Sequence, residues 1–349
     1  MKLINNLLII YLILNWIFKI SSKNKRLSKV INIILLTIVV GTIYEPLARG
    51  GDFDNYRNLF NSIEYGSEKT IESGFYYLNL IIKQFTQDYT IAYFIFSLIV
   101  NILVVNTIYR YSKNIEFSLL MYVIMGGYFS VSNITRQMIA ISIMAYAIKY
   151  IIQNNKIKYI ILTIIASQFH ITSLVIGIIV LLIKKYNTTI SNNYFKYIVF
   201  LNLVIFIEPI IRQIGINLFF EQYDNDSFSY GSSILHYIVQ IAFISLYLLR
   251  IKKVKDENDK FFINISTIAM CFILMSQRFV LYSRIALYFN VFYTIAIPNV
   301  LININNKKEK RLIIYCVIMG LGIYYILLTS KSFIFESHII DYFRSVVYI

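Results

Sequence analysis

The chain has 349 residues, of which 58% are hydrophobic and only 15% charged, and its formal net charge is +15. Soluble domains carry about 25% charged residues, so an ordinary water-soluble enzyme is excluded. The excess of positive charge suggests a nucleic-acid binder, but it follows the loops between apolar runs, as membrane topology would dictate.

Those apolar runs recur along the whole length, and a run of about 20 residues is what a helix needs to cross roughly 30 Å of hydrocarbon. Backbone groups inside lipid must pair internally, so the runs are expected to be helical. A β-barrel would alternate apolar and polar residues in strands of about ten, and these runs do not alternate. The expected fold is all-α, a polytopic membrane helical bundle forming a single transmembrane domain over 1–349. Ten full spans are expected near 3–20, 30–47, 88–108, 117–131, 138–153, 197–211, 236–250, 261–277, 285–303 and 312–328. The first run has the look of a signal peptide but is followed by no small-residue cleavage site, so it is read as a span.

Between the second and third spans lies the segment 48–87, with Gly50-Gly51-Asp52-Phe53-Asp54-Asn55-Tyr56 and then Glu72-Ser73-Gly74-Phe75. It reads either as a solvated loop with turn chemistry or as a site where Asp52 or Glu72 orients a substrate hydroxyl or takes its proton. Residues 75–85 read as a short interfacial helix. Spans four and five are short and meet at Ser132-Asn133-Ile134-Thr135-Arg136-Gln137. Arg136 there is either a cation snorkelling to lipid headgroups or a partly buried fork for phosphate oxygens.

The basic loops 21–29, 110–116, 154–158, 184–196, 250–260 and 304–311 hold 20 basic residues against 5 acidic ones. The other side holds 10 basic and 13 acidic, with Lys2, Lys19 and Lys149 unassigned. Lysine and arginine mark cytoplasmic loops, so the segments 48–87 and 212–235 are expected outside. This sidedness creates a parity problem at 159–183. One span there would put the most basic loop on the wrong face. Two short helices, 159–169 and 171–183, resolve it and place His170 at their turn, where irregular backbone is tolerated only if it lines a wet cavity or is buried in protein. A lone histidine in an apolar run also reads as a packed core residue. His236 and His338 have no comparable setting.

Residues 277–288 carry Arg278 and Arg284, then Tyr288, which read as holding an anionic substrate or as anchors to lipid phosphates. Cys271 and Cys316 fall within expected spans and suggest neither a disulfide nor a metal site. No cofactor and no metal are expected.

Several of these elements, in this order, resemble the EpsG family of Wzy-type polysaccharide polymerases. The matching residues are Asp52, Phe53 and Tyr56; Glu72, Gly74, Phe75 and Leu78; Arg136, Gln137 and Ala140; Phe169, His170 and Ser173; and Arg284, Tyr288, Phe289 and Pro298. Ser73 stands where the pattern suggests proline. The resemblance spans roughly 30–300. It implies a membrane-embedded glycosyltransferase fold that uses a lipid-phosphate donor. It also implies that oligosaccharide units on undecaprenyl diphosphate are joined at the outer leaflet of the bacterial cytoplasmic (inner) membrane. Membrane lipids and a chain-length regulator protein are expected partners, and nucleic acid is not. On this reading Arg136, His170, Asp52 and Glu72 carry the chemistry, while Tyr56, Gln137, Arg278, Arg284 and Tyr288 hold substrate. Two other readings stand beside it. A lipid-linked oligosaccharide flippase or exporter would show matched halves and charges on both sides of a central cavity. An O-antigen ligase-like transferase would share the donor but use another acceptor.

Overall fold

The computed structural model describes residue 15 and residues 24–46, 52–64, 71–125, 127–210, 213, 234–276, 278–279, 281–332 and 335–337. The expected first span, the Gly50-Gly51 pair, most of the segment 212–235 and His338 lie outside the described residues, as does the His236 side chain. The elements are α1 (Lys25–Gly41), β1 (Ile43–Pro46), α2 (Phe53–Ser62), α3 (Ser73–Lys83), α4 (Tyr89–Tyr111), α5 (Ile115–Met125) and a 3-10 turn (Tyr128–Ser132). They continue with α6 (Thr135–Ile152), α7 (Lys156–Ser167), α8 (Ser173–Lys185), α9 (Asn187–Asn192), α10 (Tyr194–Phe206) and α11 (Ile234–Arg250). The last are α12 (Glu257–Met275), α13 (Leu281–Ile302), α14 (Lys307–Ser332) and β2 (Phe335–Ser337).

Helices account for nearly all of this. Three of them, α4, α12 and α13, are long and apolar enough to cross a membrane, and α5 and α10 are shorter apolar helices. The departure from an all-α chain is a small antiparallel pair, β1 with β2, in register Ile43 to Ser337 and Pro46 to Phe335 with an irregularity between Ile43 and Glu45.

The chain divides into two compact units. In the first, α4 is the central helix, and α1, α5 and α6 pack along it. Buried polar side chains tie these helices together, as polar groups do where lipid offers no hydrogen bond. Asn101 on α4 donates to Thr37 on α1 at 3.3 Å and accepts from the Tyr122 hydroxyl of α5 at 3.0 Å. Asn32 donates to the Tyr109 hydroxyl at 2.8 Å.

Two boundaries differ from the sequence expectation for local reasons. Helix α1 begins earlier than 30, inside the basic loop, because the Asn24 side chain accepts from the N–H groups of Arg26 and Leu27 and caps it. The expected span 117–131 is interrupted: α5 ends at Met125, Gly127 takes a left-handed φ of 75°, and the chain continues as a 3-10 turn. The segment 52–62 is also more ordered than a solvated loop. Phe53, Tyr56 and Phe60 recur at helical spacing, which gives α2 one apolar face, and all three are buried.

The 159–183 segment is two helices, α7 and α8, with a turn at 168–172. The 12 residues of α7 rise about 18 Å, short of a full crossing. The two helices touch at Gly177, where a Cβ would lie 2.4 Å from the Thr163 methyl carbon, so only glycine allows the approach.

The second unit is built on α12 and α13, with α9, α10 and α11 against α12. Its interior is also threaded with polar pairs: Tyr194 with Thr267 at 2.6 Å, Asn264 with Asn187 at 2.8 Å, Tyr247 with Ser266 at 3.1 Å, and Tyr293 with Gln240. Lys113 pairs with the buried Asp259, which also accepts from Asn299 at 2.8 Å.

Candidate functional site

The first unit brings three sequence candidates from three separate segments into direct contact. Glu72 sits at the N-terminus of α3, Arg136 in the first turn of α6 and His170 in the α7–α8 turn. One Arg136 guanidinium nitrogen meets Glu72 Oε2 at 2.5 Å, and His170 Nδ1 lies 3.3 Å from Glu72 Oε1. The carboxylate therefore bridges the two bases, one on each oxygen. All three side chains remain 22–32% exposed, so the cluster is reachable from outside the packed core.

Aromatic packing fixes this arrangement. Phe53 of α2 meets Tyr89 and Tyr93 of α4 edge-on, with centroids 5.3 and 5.2 Å apart, and Phe75 of α3 lies 5.3 Å from Phe96. Each such pair contributes about 0.5–1.5 kcal/mol beyond the area it buries, so α2 and α3 are firmly seated on α4. Tyr56 stands against Phe75 and under Arg136, whose guanidinium carbon is 5.7 Å from the ring centroid.

The turn is held by the backbone. Gly74 N–H donates to the Gln168 carbonyl at 2.8 Å, which sets the Glu72 segment against the His170 turn. A Cβ on Gly74 would lie 2.8 Å from that same oxygen. Gly74→Ala is therefore expected to push the two segments apart and separate Glu72 from His170. Activity in cells should fall sharply while the protein still accumulates in the membrane. Wild-type activity from the alanine variant would show that this contact is dispensable.

The electrostatics follow from the geometry. Burial alone would raise the Glu72 carboxyl, but the His170 hydrogen bond and the Arg136 charge outweigh it and hold the carboxyl below its ordinary value of 4.5. Glu72 is thus ionised at neutral pH and can only accept hydrogen bonds. It follows that His170 carries its proton on Nδ1 when neutral, which leaves the Nε2 lone pair free. Burial pushes the Tyr56 hydroxyl up, against the pull of Arg136, so it stays protonated. Arg136 Nε is buried with no hydrogen-bond partner among the described residues, and the guanidinium interacts with the Tyr56 hydroxyl as well as with Glu72. It stands beside the positive end of α6.

Asp52 adjoins this cluster. Its backbone N–H donates to Asn133 Oδ1 at 2.9 Å, which ties the start of α2 to the segment preceding Arg136, and its carboxylate accepts from Asn55 at 3.4 Å. Gln137 is buried behind Arg136. The remaining candidates belong to the second unit. Tyr288 is buried within α13, and Arg284 is exposed on the same helix. Arg278 donates to Glu208 and to the Ile205 carbonyl, both at 3.3 Å. Glu208 is fully buried and escaped the sequence reading, although a carboxylate within an apolar run is itself a signal.

A family model described as the EpsG family matches residues 28–343. The chain belongs to the EpsG family. No curated protein and no solved structure matches it. The EpsG family is associated with polysaccharide-polymerase-like membrane proteins, which makes this chain a membrane protein of polysaccharide biosynthesis. The residues that suggested the family from sequence include the EpsG-family chain's bridged Glu72, Arg136 and His170.

Proposed function

We propose that this protein is a polysaccharide polymerase that joins undecaprenyl-diphosphate-linked oligosaccharide units at the outer leaflet of the bacterial cytoplasmic membrane. The observation that carries the reading is the Glu72 carboxylate bridging Arg136 and His170. The cluster pairs a group suited to accepting a proton with a group suited to stabilising a departing diphosphate.

On this reading the acceptor sugar's hydroxyl oxygen attacks the anomeric carbon of the donor chain. His170 Nε2 takes the hydroxyl proton, while Glu72 holds the imidazole in the required tautomer and steadies the imidazolium that forms. The bond from the anomeric carbon to the diphosphate oxygen breaks, and its electrons leave with the lipid diphosphate. Arg136 stabilises that charge with its guanidinium. A single displacement inverts the anomeric centre. Tyr56 and Gln137 shape the Arg136 side of the site, and Asp52 orients a sugar hydroxyl nearby. The donor carries its own leaving group, so no cofactor is required.

The test uses purified protein and one lipid-linked repeat unit, with no nucleotide and no ion gradient. Longer lipid-linked chains are expected, with one undecaprenyl diphosphate released per joining step. If the protein only moves the unit between leaflets, the exporter reading replaces this one. If it transfers the glycan to a different acceptor without lengthening it, the ligase-like reading does.

A further inference from the structure

At one end of the first unit, the N-terminus of α1 meets the C-terminus of α4. The two basic loops next to these ends, 21–29 and 110–116, are the ones that the charge distribution assigns to the cytoplasm. Between them is a cavity of about 580 Å³ lined by Lys25, Arg26, Lys29, Arg110, Asn106, Tyr109 and Tyr146. That volume falls within the usual range of ligand pockets, about 300–1,000 Å³. Four cations share its wall, and none forms an ion pair with a carboxylate among the described residues. Lys29 has a neutral partner, donating to Asn106 at 2.8 Å, and no carboxylate pairs with it among the described residues. The acidic side chain whose field reaches this wall, Glu116, acts on Tyr109.

The aromatic part of the wall is fixed by its contacts. The Tyr109 hydroxyl is fixed by Ser28 at 2.9 Å and by Asn32 at 2.8 Å. Tyr146 is stacked under the Lys149 ammonium, 3.6 Å from its ring centroid, which adds a fifth positive charge beside the cavity. Four like charges around a concave space, with no ion-pair partner among the described residues, focus a positive field into it. The ends of α1 and α4 set where the four side chains start, and Asn106 holds Lys29 at the wall, while Lys25, Arg26 and Arg110 are exposed at its rim.

We propose that this cavity binds a phosphoryl anion. Two arginines supply planar forks for phosphate oxygens and two lysines supply point charges, with Asn106 as a neutral donor. Such an anion has two sources at this position, the headgroup of an anionic phospholipid and a free phosphate compound. A basic pocket between helix ends on the cytoplasmic side suits the headgroup, because the lipid's acyl chains can lie along the flanking helices. The site lies outside the Glu72 cluster and takes no part in the joining chemistry, so its test needs no substrate.

The purified full-length protein in neutral detergent is titrated separately with phosphatidylglycerol, phosphatidylcholine and inorganic pyrophosphate, and bound adducts are counted by native mass spectrometry. Phosphatidylglycerol is expected to be retained over phosphatidylcholine. Retention should weaken roughly fivefold for each charge removed in K25Q/R26Q and in K29Q/R110Q. K25Q/R26Q alters two exposed side chains, so it reports on the site even if K29Q/R110Q disturbs folding. The control K252Q/K253Q removes two lysines that do not line the cavity and should bind as wild type. Pyrophosphate binding with the same variant sensitivity would make a free phosphate compound the ligand. The proposal is overturned if neither anion binds, or if the control variant loses as much binding as the cavity variants.

Discussion

Arg136→Ala is expected to reduce polymer formation roughly 10²–10³-fold, the scale seen when one preorganised donor to a developing anion is removed. The expectation rests on where the guanidinium sits. It is in the first turn of α6, one nitrogen is committed to Glu72, the Tyr56 ring lies against it, and its Nε is buried without a partner. A departing diphosphate would meet a planar cation that is still about a third exposed. Arg136→Lys keeps the charge but loses the fork and the stacking on Tyr56, so it should fall between alanine and wild type rather than restore activity. The Glu72 pair is partly exposed, so its loss should remove about 1.5 kcal/mol of stability at most, too little to clear the protein from the membrane. The measurement is polymer length in cells, with the amount of protein in the membrane followed in parallel. Full-length polymer from Arg136→Ala at normal accumulation would sink the role.

The parts of this site that were legible in sequence, and those that were not, separate along physical lines. Arg136 and His170 stood out because charge and irregular backbone are rare within apolar runs, and a rare feature is informative. The α7–α8 break followed from charge parity, since positive loops on both sides of 25 apolar residues leave room only for an even number of passes. Glu72 was visible as a candidate but its bridging role was not. It lies 64 residues from Arg136 and 98 from His170, and nothing local encodes a contact at that separation. Helix α2 was legible in principle, because Phe53, Tyr56 and Phe60 mark an apolar face, yet the glycines and carboxylates beside it suggest a turn. The β1–β2 pair joins segments almost 300 residues apart in the chain, so neither strand announces its partner. Glu208 went unnoticed because hydropathy averages one carboxylate into the apolar residues around it. Only burial reveals what that residue requires.

Glu72→Gln provides the sharper test, because it should separate binding from turnover. The amide is nearly isosteric with the carboxylate, so α3 should remain seated on α4. Its NH₂ group, however, can donate to His170 Nδ1, which would move the imidazole proton to Nε2 and block that nitrogen as a base. Loss of general-base assistance typically costs about 10²–10⁴-fold, and kcat should fall within that range. The same substitution removes the counter-ion that occupies one arm of Arg136, leaving the fork more available to the lipid diphosphate. KM for the lipid-linked unit should therefore stay constant or decrease while kcat falls. His170→Ala should lower kcat similarly but leave KM unchanged, because Arg136 keeps its partner. Stability supplies an independent check with a defined sign. The Glu72 carboxyl is held below its ordinary value of 4.5, so its ionised form contributes stability that is fully present above that value. The contribution is lost as pH falls through the lowered folded value. The difference in melting temperature between wild type and Glu72→Gln should thus be constant at neutral and weakly acidic pH and should vanish in stronger acid. A Glu72→Gln protein that turns over like wild type, or that raises KM without lowering kcat, would mean that Glu72 only anchors the loop and does not set the protonation state of His170.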